Sequence, residues 1–545
     1  MTSCDVVVVG AGHNGLACGA YLARAGLETI VVEQAPEPGG CVVTEELPSG
    51  AGRLEIGAFE HSGLRASGVD EDLELSARFG LEWLLCDELV LAPCDDGTDL
   101  AMHSSLDRTV EGFAELLGRD EAERYRRFAQ WSERALAVLS QANNGPPPTM
   151  RELTAAAELT LGVEGQRLIQ ALYASASNLC AAHLGDPRLR GLMQHWAAHS
   201  QQPPDDPGTG AGAMMLAAFH GAPSARPAGG SRGTVAALAR CLEGHGGSLR
   251  TGAAADRIEV AGGRAVAVHA GDERIAARRA VVSTIDAKRV FERLVDPDHV
   301  PAALAAEVAA IHVGRRNVSE LKVDAVLTRL PDLDVPAGFE RALMLSPNTD
   351  ADIEAAFARI RLGGLPERPP LMIGFPSTRE PGWTRDPEAA VVWLSTFVPW
   401  EPADGPWTEA SLDEAADWAW RAAERALRTE LEPVERLVTG PQDWVRRNGN
   451  PYACPNHVEM SLDQLLGMRP SPSLSRYSTP IAGLYLSGAG SHPGGGVTGM
   501  PGRNAAAAVL RDLGLRSRGR IERWRSQAAM LRDAARAARA LRRAA

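Results

Sequence analysis

The chain has 545 residues, of which 45% are apolar and 23% are charged, and its formal net charge is -13. This length allows two or three lobes with separate cores, and the acidic balance argues against nucleic acid as a partner, because phosphate backbones repel an acidic surface. No apolar run reaches the roughly 20 residues that cross a bilayer. Scattered cysteines without a CxxC pair favour reduced thiols over disulfides. We therefore expect a cytoplasmic globular protein.

A strand, a helix and a second strand open the chain. Residues 4–9 are mostly β-branched and predict a strand, and the apolar spacing of residues 16–25 predicts a helix. Residues 29–32 are β-branched again. Two parallel strands joined through a helix form a βαβ unit, for which a right-handed crossover is the rule.

The turn of this unit has the sequence GAGHNG. Its first glycine allows a tight turn, the second lets the backbone approach a pyrophosphate, and the third lets the helix pack closely on the strand. Glu33 ends the second strand, where an acid accepts hydrogen bonds from a ribose hydroxyl. The unit predicts a dinucleotide site, with His13 in a packing role. Its expected contacts are Gly10, Gly12, His13, Asn14, Gly15, Glu33 and Gln34.

A glycine pair follows soon after the ribose acid, in EPGGCVVTEE. A second backbone approach at this distance suits a long flavin dinucleotide that threads into the protein better than a nicotinamide at the sheet edge. The sequence has no second GxGxxG with a strand, a helix and a trailing acid, so a separate NAD(P)H domain is not expected. FAD is therefore the expected cofactor, in contact with Gly39, Gly40 and Cys41.

The middle of the chain alternates between helical and mixed character. Residues 107–202 predict long amphipathic helices, and the proline- and glycine-rich residues 201–212 predict a loop. Mixed α/β character returns over residues 229–282, and strands alternate with helices over residues 296–432. The alanine- and arginine-rich residues 515–545 predict a basic amphipathic helix.

The C-terminal region contains GLYLSGAGSHPGGGVTGMPGRNAAAAVLRDLG. Residues 484–486 predict a short buried strand, residues 488–499 a glycine-rich loop, and residues 502–513 a helix with Pro501 in its first turn. Such a loop lets backbone reach a flat ring, and the helix N-terminus stabilises the negative charge of a reduced flavin. The expected contacts are Gly488, Ala489, Gly490, Gly496, Val497 and Thr498.

These motifs together resemble the phytoene-desaturase-like FAD-dependent oxidoreductases, which include carotenoid desaturases and retinol saturases. GAGHNGL with Glu33 and PGG, then GGSRGTVAALARCLEGHGG, then LYLSGAGSHPGGGVTG carry the resemblance. It is greatest to the branch of pyridine nucleotide-disulfide oxidoreductase domain proteins. The resemblance implies a backbone contact with the adenine around Ala255. Many relatives have an acid in the last motif, where this chain has glycine and alanine. We therefore expect Ser491 or a backbone N–H to make the contact with the flavin nucleotide that the acid makes in those relatives.

The motifs and the resemblance together predict an α/β fold. We expect a discontinuous Rossmann-like FAD-binding domain of the GR2 type, with an inserted α+β substrate region. The cofactor domain is assigned to residues 1–106, 221–295 and 440–514, the substrate region to residues 107–220 and 296–439, and a basic C-terminal helix to residues 515–545.

Three residues are candidates for the chemical step. His457, in NPYACPNHVEM, precedes the last glycine motif, and relatives place this segment beside the flavin. Glu459 in the same segment and His61 after the glycine pair are candidates for substrate contact or proton transfer. A packing role is an equal alternative for either histidine. The histidines form no HxH or HExxH group, so a metal is not indicated.

The leading hypothesis is a desaturation or dehydrogenation at a CH–CH bond of an apolar or polyketide-like small molecule, with oxygen or a quinone as acceptor. A reduced-flavin isomerase or saturase and an amine oxidase are the enzyme alternatives, and the last favours an aromatic cage. A flavin-fold protein that only binds a partner is disfavoured by the intact glycine motifs.

The two regions that resemble the family least are expected to enclose the substrate. We predict a cavity between residues 107–202 and 296–439, closed at one end by the flavin ring, with His457 or Glu459 near its rim. Two roles remain possible for the basic C-terminal helix, which are contact with a membrane surface and packing in a homodimer.

Overall fold

The computed structural model describes residues 2–346 and 349–515. The basic helix predicted for residues 515–545 lies outside them, except for its first residue. The strands are β1 (Thr2–Val9), β2 (Thr29–Val32), β3 (Thr44–Glu46), β4 (Arg53–Glu55), β5 (Trp83–Cys86), β6 (Glu88–Ala92), β7 (Leu100–His103), β8 (Ser224–Pro227), β9 (Ser248–Arg250), β10 (Ala255–Ala261), β11 (Arg264–Ala270), β12 (Glu273–Ser283), β13 (Val318–Leu327), β14 (Leu343–Ser346), β15 (Leu371–Gly374), β16 (Ala390–Pro399), β17 (Pro433–Thr439) and β18 (Leu484–Leu486).

The helices alternate with these strands and also form a bundle in the first half of the chain. They are α1 (His13–Arg24), α2 (Ser62–Ala66), α3 (Val69–Leu73), α4 (Leu75–Arg78), α5 (Leu106–Leu117), α6 (Arg119–Asn143), α7 (Met150–Leu161), α8 (Glu164–Tyr173), α9 (Ala176–His183), α10 (Pro187–Ala198), α11 (Gly210–Ala217), α12 (Ser231–Gly244), α13 (Ala287–Arg289), α14 (Ala302–Ala310), α15 (Asp350–Arg361), α16 (Glu409–Leu427), α17 (Pro441–Asn448) and α18 (Met500–Asp512).

The first sheet has the strand order β10-β11-β12-β1-β2-β9, and β18 pairs with β12 beside this path. Strand β12 runs parallel to both β1 and β18, and β1 runs parallel to β2. The sheet is therefore assembled from both ends and the middle of the chain. Since the carboxyl ends of these parallel strands lie at one edge, the loops that follow β1, β2, β12 and β18 meet there.

The parallel strands of this sheet are buried on both faces. Val6 and Val8 pack with helices α1, α12 and α18, whereas Val7 and Val9 pack in a second core with α13 and α14. This is why the opening run is continuously apolar rather than alternating. The sequence locates β2 and β18 at their observed bounds.

The second sheet has the order β17-β13-β16-β15-β14-β6-β7. Helix α16 covers one face, where its alanines pack on the apolar residues of β13 and β16. The other face, called here the inner face, packs on the bundle of helices α5 to α11. Strands β6 and β7 belong to this sheet, although the sequence grouped residues 1–106 with the cofactor domain.

Residues 201–212 are not a loop throughout, because α11 begins at Gly210. A Cβ at Gly210 would lie 2.5 Å from the carbonyl oxygen of Ala171, and one at Gly212 would lie 2.8 Å from Cα of Ala197. These glycines therefore allow close packing of helices, and tertiary contact outweighs their low helix propensity. Among residues 2–346 and 349–515, no helix combines the length and the apolar character that a bilayer crossing requires.

Helices α1 and α18 touch at Gly502, and this contact gives a test of the fold. A Cβ at Gly502 would lie 2.1 Å from the carbonyl oxygen of Asn14, so we expect Gly502→Ala to lower the free energy of unfolding by about 1–3 kcal/mol. Gly112 in α5 has no atom within 4 Å of an added Cβ, and Gly112→Ala should raise it by about 0.5–1 kcal/mol. Urea unfolding measures both. A Gly502→Ala variant as stable as the parent would contradict the packing.

Candidate functional site

The loop between β1 and α1 contains three glycines with different environments. A Cβ at Gly10 would lie 2.5 Å from Oγ1 of Thr284, and one at Gly15 would lie 1.9 Å from the carbonyl oxygen of Gly10. These two glycines are required by the packing of the protein itself. At Gly12 the φ angle is -63°, and the nearest atom to an added Cβ is the Gly39 carbonyl oxygen at 3.9 Å. The protein leaves free space beside Gly12, where the nucleotide pattern expects a pyrophosphate.

The acid at the end of β2 points back to this loop. Glu33 is 8% exposed, and its carboxylate accepts hydrogen bonds from the backbone N–H of Ala11 at 2.7 Å and of Ala35 at 3.0 Å. Its own carbonyl accepts from the N–H of Ala253, two residues before Ala255. The segment expected at the adenine therefore lies next to the acid expected at the ribose. Gln34 is exposed.

The glycine pair after β2 touches the first loop through backbone atoms. Gly12 and Gly39 form an isolated parallel bridge, and a Cβ at Gly40, where φ is +64°, would lie 3.6 Å from Cα of Gly12. Cys41 follows, half-buried, and its sulfur accepts a 3.0 Å hydrogen bond from Nδ2 of Asn448. Burial raises the pKa of the Cys41 thiol to about 12, so it is not a nucleophile at neutral pH.

The C-terminal glycine loop lies against the same edge. A Cβ at Gly488, where φ is +81°, would lie 2.2 Å from the carbonyl oxygen of Thr284. Nε2 of His13 lies 3.2 Å from the carbonyl oxygen of Gly496, so this side chain joins the first loop to the last one. The carbonyl of Thr498 accepts from Oγ of Ser67 at 2.8 Å. Three segments distant in sequence thus form one glycine-lined edge.

Some groups at this edge lack a protein partner. Oδ1 of Asn14, in the first turn of α1, is buried and has no hydrogen-bond partner. Nδ1 of His457 is likewise buried without a hydrogen-bond partner. Both atoms are available to a polar group bound at this edge, beside the free space at Gly12.

Arg469 is the residue at this site that sequence reasoning missed. Its side chain is fully buried, and the guanidinium donates to the carbonyls of Asn456 at 2.7 Å, Glu459 at 3.0 Å and Ala489 at 2.7 Å. It thereby ties the segment containing His457 to the last glycine loop. Burial lowers the pKa of Arg469 to about 10, so it remains charged. A single arginine in GMRPSPS has no spacing signal that would have revealed this role.

His457 has unusual backbone and side-chain environments. Its φ angle is +64°, which costs a residue other than glycine on the order of 1 kcal/mol. An added Cβ at Gly490 would lie 3.2 Å from Cβ of His457, so the residue packs directly on the glycine loop. Burial lowers the pKa of His457 to about 4, with Asp286 opposing the shift, and the imidazole is neutral at pH 7.

Glu459 lies at the junction of the helical region and the second sheet. One carboxylate oxygen accepts from the backbone N–H of Arg315 at 2.5 Å, and the other is buried without a hydrogen-bond partner. Nη1 of Arg316 is 3.8 Å from it. Glu459 lines a small cavity of about 10 Å³ with Gln201, Gln202, Gly314, Arg316, Val318, Tyr452 and Cys454. This volume holds about one water molecule, so the cavity at this junction is too small for the predicted substrate.

The geometry does not favour His61 as a proton-transfer group. The residue is fully buried, Nδ1 lies 2.8 Å from Oγ1 of Thr234, and Nε2 lies 3.2 Å from Oγ of Ser231. With both ring nitrogens engaged, His61 connects the loop before α2 to the first turn of α12. Burial is the largest cause that lowers the pKa of His61 to about 3, and His13 is the next largest.

The chain is similar to known proteins in sequence and in fold. Residues 8–68 match the protein-family model described as an NAD(P)-binding Rossmann-like domain. The chain is 28% identical to mouse (Mus musculus) pyridine nucleotide-disulfide oxidoreductase domain-containing protein 2, over 93% of this chain and 94% of that protein. It is also 28% identical to the hydroxyneurosporene desaturase of Cereibacter sphaeroides, over 94% of this chain and 99% of that protein.

The resemblance to the phytoene-desaturase-like oxidoreductases is confirmed. Among solved structures, a putrescine oxidase bound to putrescine matches with a TM-score of 0.58 at 15% identity, over 94% of this chain and 99% of that one. The expected α/β class with a Rossmann-like unit is confirmed as well. The last motif has Ala489 between two glycines, and Arg469 donates to the Ala489 carbonyl at 2.7 Å.

Buried histidines, among them His61, His195 and His492, make the stability of this protein depend on pH. Burial lowers the pKa of His61 and His195 to about 3 and that of His492 to about 4, from 6.5. As pH falls, the unfolded chain is protonated first, so the stabilisation is complete above pH 6.5 and is lost towards pH 4. His61→Gln should therefore reduce the slope of unfolding free energy against pH, between pH 6 and 5, by up to about 1.4 kcal/mol per unit.

Urea unfolding at several pH values measures the slope. His299→Gln, at an exposed position, is the matched control and should keep the parent slope. An unchanged slope in His61→Gln would show that His61 is accessible to protons in the folded state.

Proposed function

We propose that this protein is an FAD-dependent oxidoreductase that removes two hydrogens from adjacent carbons of a small, largely apolar or polyketide-like molecule. The main support for this proposal is the free space at Gly12, since packing within the protein explains the other two glycines of the first loop. The full-length similarity to a protein named as a desaturase supports the reaction type. Oxygen or a quinone is the proposed final acceptor.

Residues of this edge can be matched to separate parts of FAD. Glu33, with its carboxylate already oriented by two backbone N–H groups, would bind the ribose, and the backbone before Ala255 would lie at the adenine. Gly12 and Gly40, at the N-terminus of α1, would face the pyrophosphate, whose charge a helix N-terminus stabilises. The loop after β18 would receive the ring, with α18 starting at its end.

The chemistry that bound FAD would supply is the acceptance of a hydride, that is one proton with two electrons, from a substrate C–H bond, with transfer of the electrons to the acceptor. The protein must then orient the substrate and accept the second hydrogen as a proton. His457 suits the latter role because its imidazole is neutral and its Nδ1 has no partner. Glu459, two residues further along the chain, has one carboxylate oxygen without a hydrogen-bond partner and is the second candidate for contact with the substrate.

The hydroxyls of two tyrosines near the last motif are engaged within the protein. The hydroxyl of Tyr477 is buried and donates to the carbonyls of Gly145 and His492, both at 3.0 Å. The hydroxyl of Tyr485 donates to Asp512 at 3.1 Å. Each is therefore engaged in structural bonds, and we place CH–CH oxidation before amine oxidation.

The cofactor assignment is tested by Gly12→Ala. Its Cβ would meet no protein atom closer than 3.9 Å, so the apoprotein should lose less than about 1 kcal/mol of stability, while the methyl group obstructs the pyrophosphate. We expect FAD content after purification to fall several-fold. Gly10→Ala is the matched control, because its Cβ would clash with Thr284, and it should destabilise the apoprotein itself. Full FAD content in Gly12→Ala would refute the assignment.

The role of His457 is tested by anaerobic reduction. A His457→Ala variant should keep its FAD, and its flavin absorbance should bleach on the order of 100-fold more slowly with a compound that reduces the parent. The exposed His299→Ala should behave as the parent. Bleaching at the parent rate would assign His457 a packing role, and loss of FAD would place it in the cofactor site.

A further inference from the structure

Arg469 is a charged side chain in the interior of the protein, and its hydrogen bonds all run to uncharged groups. The side chain is completely buried. Its guanidinium donates to five backbone carbonyls, those of Asn456, Val458, Glu459, Gln464 and Ala489. These carbonyls satisfy its N–H groups, but they carry no net charge. Proteins retain a buried charge when it is paired or binds something, because removing an ion from water is costly.

No carboxylate is paired with this guanidinium. Among residues 2–346 and 349–515, no Asp or Glu side chain has an oxygen within 4.0 Å of its nitrogen atoms. The carboxylate of Glu459 instead lies 3.8 Å from Nη1 of Arg316. The carboxylate of Asp286, which follows β12, is paired with Arg289. The acids of this region are thus engaged with other arginines.

Titratable side chains that Arg469 affects are neutral at pH 7. Burial lowers the pKa of His457 and that of His492 to about 4, and the positive charge of Arg469 adds to both shifts. Burial raises the pKa of the Cys454 thiol to about 12, and the charge of Arg469 opposes this shift. None of these three groups therefore supplies a negative charge to balance the guanidinium.

The guanidinium lies directly against the loop after β18. Nη2 is 2.7 Å from the carbonyl oxygen of Ala489, and Nε would lie 3.4 Å from a Cβ at Gly494, where φ is +124°. The same loop leads to the N-terminus of α18, whose dipole also favours negative charge. The proposed function assigns the flavin ring to this loop and the pyrophosphate to Gly12. The charge of Arg469 thus belongs to the part of the site proposed for the ring.

We propose that Arg469 stabilises the negative charge that a flavin ring carries when it is reduced, and so favours transfer of a hydride from the substrate to FAD. This inference rests on the proposed function and adds a residue to its reaction. An oxidised ring that accepts a hydride gains one proton and two electrons, and therefore one negative charge. A buried cation opposes uptake of a second proton, because like charges repel. The charge then remains on the reduced ring.

The reduction potential of the FAD-loaded parent tests this proposal without a variant. An anaerobic titration with redox dyes, from about pH 5.5 to 7, counts the protons taken up with the two electrons. One proton gives a fall of about 30 mV per pH unit and two protons about 60 mV, because a tenfold change in a two-electron equilibrium corresponds to about 30 mV. We expect the slope for one proton. A slope closer to 60 than to 30 mV per pH unit would overturn the proposal.

Two substitutions separate the charge of Arg469 from its packing. Arg469→Met keeps a long side chain without the charge and should lower the potential at pH 7 by at least about 30 mV, a tenfold loss of affinity for reduced relative to oxidised FAD. Arg469→Lys keeps the charge but not the planar set of donors, and should retain most of the parent potential. Arg421→Met, on the exposed surface of α16, is the matched control and should leave the potential unchanged.

A residue that only anchored the loop would give another pattern, in which the Met and Lys variants behave alike. A parent-like potential in Arg469→Met, or equal shifts in both variants, therefore overturns the proposal. Equal weakening of oxidised and reduced FAD binding in Arg469→Met would assign the charge to the pyrophosphate and overturn it as well. If neither variant folds, the slope of the parent decides. Protein purified without FAD contradicts the proposed function, whereas FAD-loaded parent that takes up two protons contradicts only the role of Arg469.

Discussion

Close backbone contact around Thr284 determines how the two ends of the chain meet. Its hydroxyl donates to the carbonyl of Val9 at 2.9 Å and occupies the space that a side chain at Gly10 would fill. Its carbonyl lies where a Cβ at Gly488 would stand. The first and last glycine loops can approach one another only because both positions are glycine. Every nucleotide contact that we propose depends on this junction at the end of β12.

The other parts of the site contact the glycine loops on either side of this junction. The glycine pair after β2 adds a second backbone surface beside Gly12, and Arg469 fixes the segment of His457 against the last loop through backbone carbonyls alone. The second sheet packs on the helix bundle through its inner face. In our proposal, main-chain atoms of the glycine loops hold the cofactor, and side chains of the helical region and the second sheet contact the substrate.

The cofactor unit could be predicted from sequence because its information is local. The motif GAGHNG with Glu33 sets the turn, the helix and the acid within one βαβ unit, and β-branched runs locate β2 and β18. The remainder depends on contacts between distant residues. Strands β6 and β7 join the second sheet through pairing that a short apolar run does not specify, and Gly210 starts a helix only because Ala171 lies against it.

The same limit applies to the site. A sequence shows that His61 is a histidine, but only the fold shows that Thr234 and Ser231 engage both of its ring nitrogens. Alternation in β13 could have revealed that Glu320 and Lys322 face one side, but not that this side is the inner face.

Identification of the nucleotide released from the purified protein by heat tests the central claim most directly. The account predicts FAD at one molecule per chain, and FMN, or NAD as the sole nucleotide, would contradict it.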